Sequence, residues 1–269
     1  MQQPTARSQS FLIPQKLKES LPNWNSTIVW APFDHACTYR LSHPNGAIRY
    51  LKMVRGDAYP SIADELKRIS WVKEYLPVPK IINFDLNGNP PWLLSEAIAG
   101  FNGTQPELKF NPKRLVYLLA KALRYFHDHA PVAACPFDFR LQSALEHVSK
   151  RARLGLIQPQ KHFHSEFQHL NLDEALRFLY EQQPPLTKEV VCHGDYCVPN
   201  IIFQNNTLRG FVDLGELGVA DVWWDLAVAT WSLEWNLGKG WEELFLDEYG
   251  ISYNFKKTVY YRLLYDLVS

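Results

Sequence analysis

The sequence predicts an α+β protein, with a small mixed β lobe first and a mainly helical lobe after it, a β-hairpin set into the second. Three observations carry that reading. Alternating apolar runs crowd the first hundred residues, and runs at helical spacing dominate the rest. Between them lies "IAGFNGTQPE", glycine-containing and irregular, a natural link. The first lobe is assigned residues 1–95, the second 96–269, and the hinge about 94–101. At 269 residues, 46% of them hydrophobic, the chain is long enough to bury a core in each.

In the first lobe, "AIRYLKMV" over 47–54 alternates and reads as a strand, with Ile48, Tyr50, Lys52 and Val54 on one face. "SIADELKRISWVKEYL" reads as a helix, with Ser61 as N-cap, Asp64 at the third position and Pro77 ending it. Its apolar stripe runs Ile62, Ile69, Val72, and Glu65 falls on that stripe. "PKIINFDLNGNPPWLLSEA" reads as two strands around a turn. In the second lobe, Asn111 caps and Pro112 opens "NPKRLVYLLAKALRYFHDH". "NLDEALRFLYEQ" is a further helix. "VVCHGD", "NIIF" and "LRGFVDLG" are short strands, and "DVWWDLAVATWSLEW" and "FKKTVYYRLLYDLV" are helical.

Charge and composition narrow the partners. Formal net charge is zero, so no global basic field points to nucleic acid or an anionic membrane. From residue 200 onward ten acids face five bases, an imbalance suited to a small cationic ligand. The four cysteines lack zinc-site spacing. The N-terminus lacks the apolar core of a signal peptide, and no run reaches ~18 apolar residues. A cytoplasmic monomer with reduced thiols is the expectation.

Two constellations carry chemistry. A carboxylate on the apolar stripe of a helix is costly unless paired, and Lys52 on the preceding strand is the expected partner for Glu65, the alternative being that Glu65 reaches solvent and Lys52 sits on a sheet edge. The ammonium would then be positioned to hold an anion. Downstream, Asp195 follows His-Gly in a turn, Asn200 stands five residues on, and Asp213 closes the next hairpin. Phosphoryl transfer needs such parts: a carboxylate to accept a hydroxyl proton, and hard oxygens to hold Mg²⁺ on a polyphosphate. Asp-x₄-Asn has the spacing of a kinase catalytic loop, and "VDLG" stands where a kinase carries its metal-binding Asp. A P-loop kinase is excluded by the absence of Gly-x₄-Gly-Lys.

At "CHGDYCVPN", "GFVDLGELGVADVWWDLAVAT", "YLKM", "YLPVPK" and "LLSEA" the chain resembles the aminoglycoside phosphotransferases of the 3′ or 3″ class, from about residue 24 onward. The resemblance implies a eukaryotic-protein-kinase-like two-lobed fold and Mg²⁺-dependent transfer from ATP to an antibiotic hydroxyl, giving resistance. It implies Asp195 as catalytic base, Asn200 and Asp213 as metal ligands, and Lys52 on the α/β-phosphates, held by Glu65. Backbone groups of Ser95 and Ala97 would meet the nucleobase, and GTP suits a backbone-read hinge as well as ATP. Asp225 would be a buried acid fixing the catalytic loop, and His193 a support for that loop.

The resemblance also marks departures. The loop expected over the phosphates, "APFDHACTYR", has no glycine and places Asp34 where an anion would repel them. Glu216 stands where an Arg is usual. On the acceptor side the family uses several acids, whereas here Glu166, Asp266 and the Ser269 carboxylate remain, with Tyr265 at a usual acid position. Trp235 stands beside Asn236 where acids are common, and a sugar ring could stack on it. The alternative acceptor is another small alcohol or amino-sugar metabolite; a nucleotide-binding pseudokinase is the non-enzymatic alternative.

Overall fold

The computed structural model describes residues 11–31, 35–55 and 58–268, so Asp34 and Ser269 lie outside the described residues. The chain divides into two compact units, Met1–Trp71 with Val78–Ile98, and Val72–Pro77 with Ala99–Ser269. Mixed α and β content is thus partitioned as an antiparallel sheet unit and a mainly helical one.

In the first unit a short helix α1 (Gln15–Glu19) precedes strands β1 (Asn25–Trp30), β2 (Ala36–Ser42) and β3 (Ile48–Val54). Helix α2 (Ile62–Val72) follows, then β4 (Ile81–Asp85) and β5 (Trp92–Glu96). The five strands form one antiparallel sheet in the order β1-β2-β3-β5-β4. Both faces of β3 carry apolar residues, so alternation alone does not choose its buried side. The core takes Leu51 and Met53, packed with Cys37, Leu41, Trp92 and Leu94, while Tyr50 is exposed. Lys52 is on the opposite face, in register with Thr38 and Leu93. Helix α2 starts where expected: the Ser61 hydroxyl accepts from Asp64 N–H, and the Asp64 carboxylate accepts from Ser61 N–H, each at 3.1 Å. It ends at Val72, short of Pro77, because a tight turn closes on the Val72 carbonyl through Tyr75 and Leu76 N–H.

The second unit runs β6 (Phe101–Asn102), α3 (Pro106–Lys109), α4 (Pro112–His129), α5 (Leu141–Arg153), α6 (Pro159–His162) and α7 (Leu172–Glu181). Then come β7 (Glu189–Cys192), β8 (Ile201–Gln204), β9 (Thr207–Phe211), β10 (Gly218–Asp221), α8 (Trp223–Leu237), α9 (Glu242–Tyr249) and α10 (Phe255–Val268). Asn111 caps α4 by accepting from Arg114 N–H at 3.0 Å. Helix α8 is buried on nearly all sides from Trp223 to Leu233, the mark of a central helix. Strand β9 ends at Phe211, so "VDLG" is a loop; β10, unforeseen in the sequence, pairs antiparallel with β7. That pairing, with Gly218 opposite Cys192, holds residues 193–200 beside residues 213–217.

Candidate active site

The loop after β7 is built around a glycine. Gly194 has φ +92°, and a Cβ there would lie 2.5 Å from the Glu216 carbonyl oxygen. Only glycine fits. From the first turn of α8, Asp225 accepts His193 N–H at 2.7 Å and Gly194 N–H at 3.0 Å. The Trp224 indole donates to the Gly194 carbonyl at 2.8 Å. Behind Asp225, fully buried, His127 Nε2 lies 3.0 Å from its Oδ2, and the Tyr249 hydroxyl lies 2.8 Å from His127 Nδ1. A buried carboxylate is tolerable only when so fully paired. The chain Tyr249–His127–Asp225 therefore clamps the backbone that presents the next residue, Asp195.

Asp195 is half-buried, and three donors converge on it. Tyr265 O–H donates to Oδ1 at 2.9 Å, Cys197 S–H to Oδ1 at 2.8 Å, and Asn200 Nδ2 to Oδ2 at 2.9 Å. Burial pushes the Asp195 carboxyl above its ordinary value, and the nearby charge of Asp213 pushes the same way. A raised carboxylate is a better proton acceptor. His193, packed among Phe126, Tyr196 and Phe211, is held below its ordinary value by burial. It is a neutral support, with its Nδ1 accepting Asp195 N–H at 3.3 Å.

Asn200 Nδ2 also donates to the Asp195 backbone oxygen at 3.0 Å, which leaves the amide Oδ1 as the atom to take a cation. Asp213 has φ +62°, a left-handed conformation that Asp tolerates better than most residues. One amide oxygen and one carboxylate, close to a second carboxylate, form the hard-oxygen donor set that Mg²⁺ takes. The residues fit the ion.

Within the first unit, Lys52 Nζ is 2.7 Å from Glu65 Oε2, the ion pair expected from the sequence. Glu65 is buried, so the pair satisfies a charge that α2 could not otherwise carry. Ser95 lies on β5 opposite Tyr50. Ala97 needs a correction: its N–H donates to the Ile48 carbonyl at 3.1 Å, so of its backbone groups the carbonyl is the one left for a nucleobase.

The residues expected from the sequence to meet the acceptor all belong to the second unit. Trp235 is 75% exposed at the end of α8, whereas Trp223 and Trp224 are core. Glu166 pairs with Arg262 at 3.3 Å. Asp266 is buried rather than open to a ligand, because His164 takes both its oxygens, the backbone N–H donating at 2.8 Å and the ring Nδ1 hydrogen-bonding to the other. Burial, moderated by His164, holds the Asp266 carboxyl above its ordinary value. The sequence reading missed Cys197, His127 and Arg262 as parts of the site. It noted Tyr265 only as a missing acid; no local pattern ties a C-terminal tyrosine to a loop 70 residues upstream.

A carboxylate held by neutral donors, a neighbouring amide and carboxylate, and a clamped loop on this α+β frame match a kinase-like phosphotransferase. The chain belongs to the phosphotransferase enzyme family, whose model matches residues 32–263. It is 30% identical over 239 residues to an aminoglycoside 3′-phosphotransferase of Niallia circulans, covering 88% of this chain and 90% of that one. An Escherichia coli aminoglycoside 3′-phosphotransferase is 29% identical over 234 residues, covering 86% and 85%. Among solved structures, an aminoglycoside 3′-phosphotransferase of type VIII superposes with a TM-score of 0.83 at 25% identity, covering 94% of this chain and 97% of the other. A choline kinase of Streptococcus pneumoniae shares the fold at a TM-score of 0.64 and 17% identity, covering 94% and 86%. Among the described residues, no helix is long and apolar enough to cross a membrane.

Proposed function

We propose that the protein transfers the γ-phosphate of ATP to a hydroxyl of an aminoglycoside, at the 3′ or 3″ position, and so confers resistance to it. The observation that carries this reading is the setting of Asp195. Its carboxylate is oriented by Tyr265, Cys197 and Asn200 and raised by burial, which suits it to take the proton of an attacking hydroxyl. The relatives named as aminoglycoside 3′-phosphotransferases support the substrate class. A Streptomyces rimosus aminoglycoside phosphotransferase with the same fold has been solved with ADP and streptomycin.

Asn200 and Asp213 would hold Mg²⁺, which when bound neutralises charge on the polyphosphate. Lys52, oriented by Glu65, would contact the α/β-phosphates, and Ser95 with the Ala97 carbonyl would meet the base of ATP, or of GTP. Glu166 and Trp235 would face the acceptor, with Ser269 assigned there from the resemblance alone; Asp266 would act through His164.

ADP release with Mg·ATP over a panel of aminoglycosides tests the reading. Turnover that is abolished in Asp195→Ala upholds it, and an Asp195→Ala variant with near-native turnover overturns it. The second reading, a kinase of another small alcohol or amino sugar, is favoured by the pairing of the acceptor-side acids with Arg262 and His164. Silence across the aminoglycoside panel with turnover of such a metabolite would select it.

A further inference from the structure

Four aromatic rings make a ladder from the surface of the second unit to the catalytic carboxylate. Exposed Trp235 stacks on Trp231, centroids 6.2 Å apart and planes 25° apart. Trp231 lies 4.0 Å from the His164 ring and 6.4 Å from that of Tyr265. His164 and Tyr265 are parallel within 7° at 6.2 Å. The last rung, Tyr265, donates its hydroxyl to Asp195 Oδ1. A ring lying on Trp235 or Trp231 thus sits on a surface continuous with the proton acceptor.

The acids beside this ladder are already partnered. Buried Arg262 lies 3.3 Å from Glu166 and 3.7 Å from Glu234, and Lys239 is 3.7 Å from Glu234. Against Glu166 and Glu234 stand Arg262 and Lys239, while Asp266 is held by His164. An ammonium-rich ligand would find few unpaired carboxylates here. It would also have to compete with a buried guanidinium fixed by the Thr230 hydroxyl at 3.2 Å and the Ala227 carbonyl at 3.4 Å.

We infer that the acceptor is gripped by ring stacking on this aromatic ladder rather than by ion pairs, and that among ring alcohols of the aminoglycoside class the enzyme therefore favours those carrying few ammonium groups. Aromatic faces meet the C–H face of such a ring without any need for charge. The inference rests on the kinase reading and narrows its acceptor.

The experiment compares acceptors of one ring scaffold bearing from none to several ammonium groups, at two salt concentrations, with Trp235→Ala and Trp235→Phe. Expected is a kcat/KM that falls as ammonium groups are added. It should change less than about twofold when salt rises from about 0.1 to about 1 M, which shortens the Debye length from about 10 to about 3 Å. Trp235→Ala should raise the acceptor KM about 3- to 10-fold with kcat and the KM for ATP held, and Trp235→Phe should restore most of it. A kcat/KM that rises with ammonium count, drops tenfold or more in salt and ignores Trp235 overturns the inference. Should no acceptor be phosphorylated, the kinase reading fails, and equilibrium titration with the uncharged ring compound judges the ladder separately. Binding lost in Trp235→Ala upholds it, and no binding to the native protein overturns it.

Discussion

The carboxylate of Asp195, in the loop after β7, and the carboxylates around Arg262 and His164 are held in opposite ways. Asp195 is surrounded by neutral donors, an O–H, an S–H and an amide N–H. Glu166, Glu234 and Asp266 are instead paired with basic side chains, Arg262, Lys239 and His164. A neutral donor orients a carboxylate and leaves its charge in place, and at Asp195 the lowering by Cys197 and Tyr265 is outweighed by burial and by the charge of Asp213. A cation cancels the charge and turns the acid into scaffold. The first arrangement keeps an acid reactive; the second keeps a fold together. Asp225 falls between them, bound by backbone N–H groups and by His127, and serves to hold the reactive acid still.

Breaking the first arrangement should have the largest effect. Asp195→Ala is expected to lower kcat by about 10²–10⁴-fold, with the folded state retained, as steady-state ADP release and circular dichroism would show. Next is Asp225→Ala, which strands two buried N–H groups and His127. A loss of about 3–5 kcal/mol in urea unfolding is expected, since removing one partner of a buried pair leaves the other uncompensated. A variant as stable as the native protein would show that Asp225 is not the clamp.

Arg262→Gln sharpens the comparison from the acceptor side. It should cost about 1–3 kcal/mol by urea unfolding, less than Asp225→Ala because Glu166 and Glu234 can hydrate. It should also raise kcat/KM for ammonium-rich acceptors relative to uncharged ones. An unchanged ranking would mean that these two acids do not face the acceptor.

The smallest effect concerns Asp266. Its folded carboxyl is held above its ordinary value by burial, so the folded state keeps a proton that the unfolded chain releases first. Stability from this group is present below the ordinary value of 3.8 and is lost as pH rises from there through the folded value. Asp266→Asn should flatten that part of the thermal-stability profile. An identical slope in both proteins would remove Asp266 as its source.

Much of this site is legible along the chain because its parts are local. Asp195, Asn200 and Asp213 come from one loop and one hairpin, where a spacing of a few residues already dictates proximity. Lys52 and Glu65 were legible for a different reason. A charge on an apolar helix stripe demands a partner, and one strand away there was one. The buried face of β3 was not legible, because both of its faces are apolar and the choice depended on what α1 and β5 brought to the core. Strand β10 escaped because four residues paired to a distant strand carry no periodicity of their own.

By itself the sequence determined the class of chemistry, and it singled out the three oxygen-bearing residues proposed to carry it. These are set by residue type and short spacing, and any fold that closes the hairpin brings them together. Tertiary structure alone decided which acids meet neutral donors and which meet basic side chains. Tyr265 reaches Asp195 across 70 residues, His127 reaches Asp225 across 98, and Arg262 reaches Glu166 across 96. A carboxylate's role depends on its burial and on the charge of its nearest donor, and both are properties of packed helices rather than of the residues that flank it.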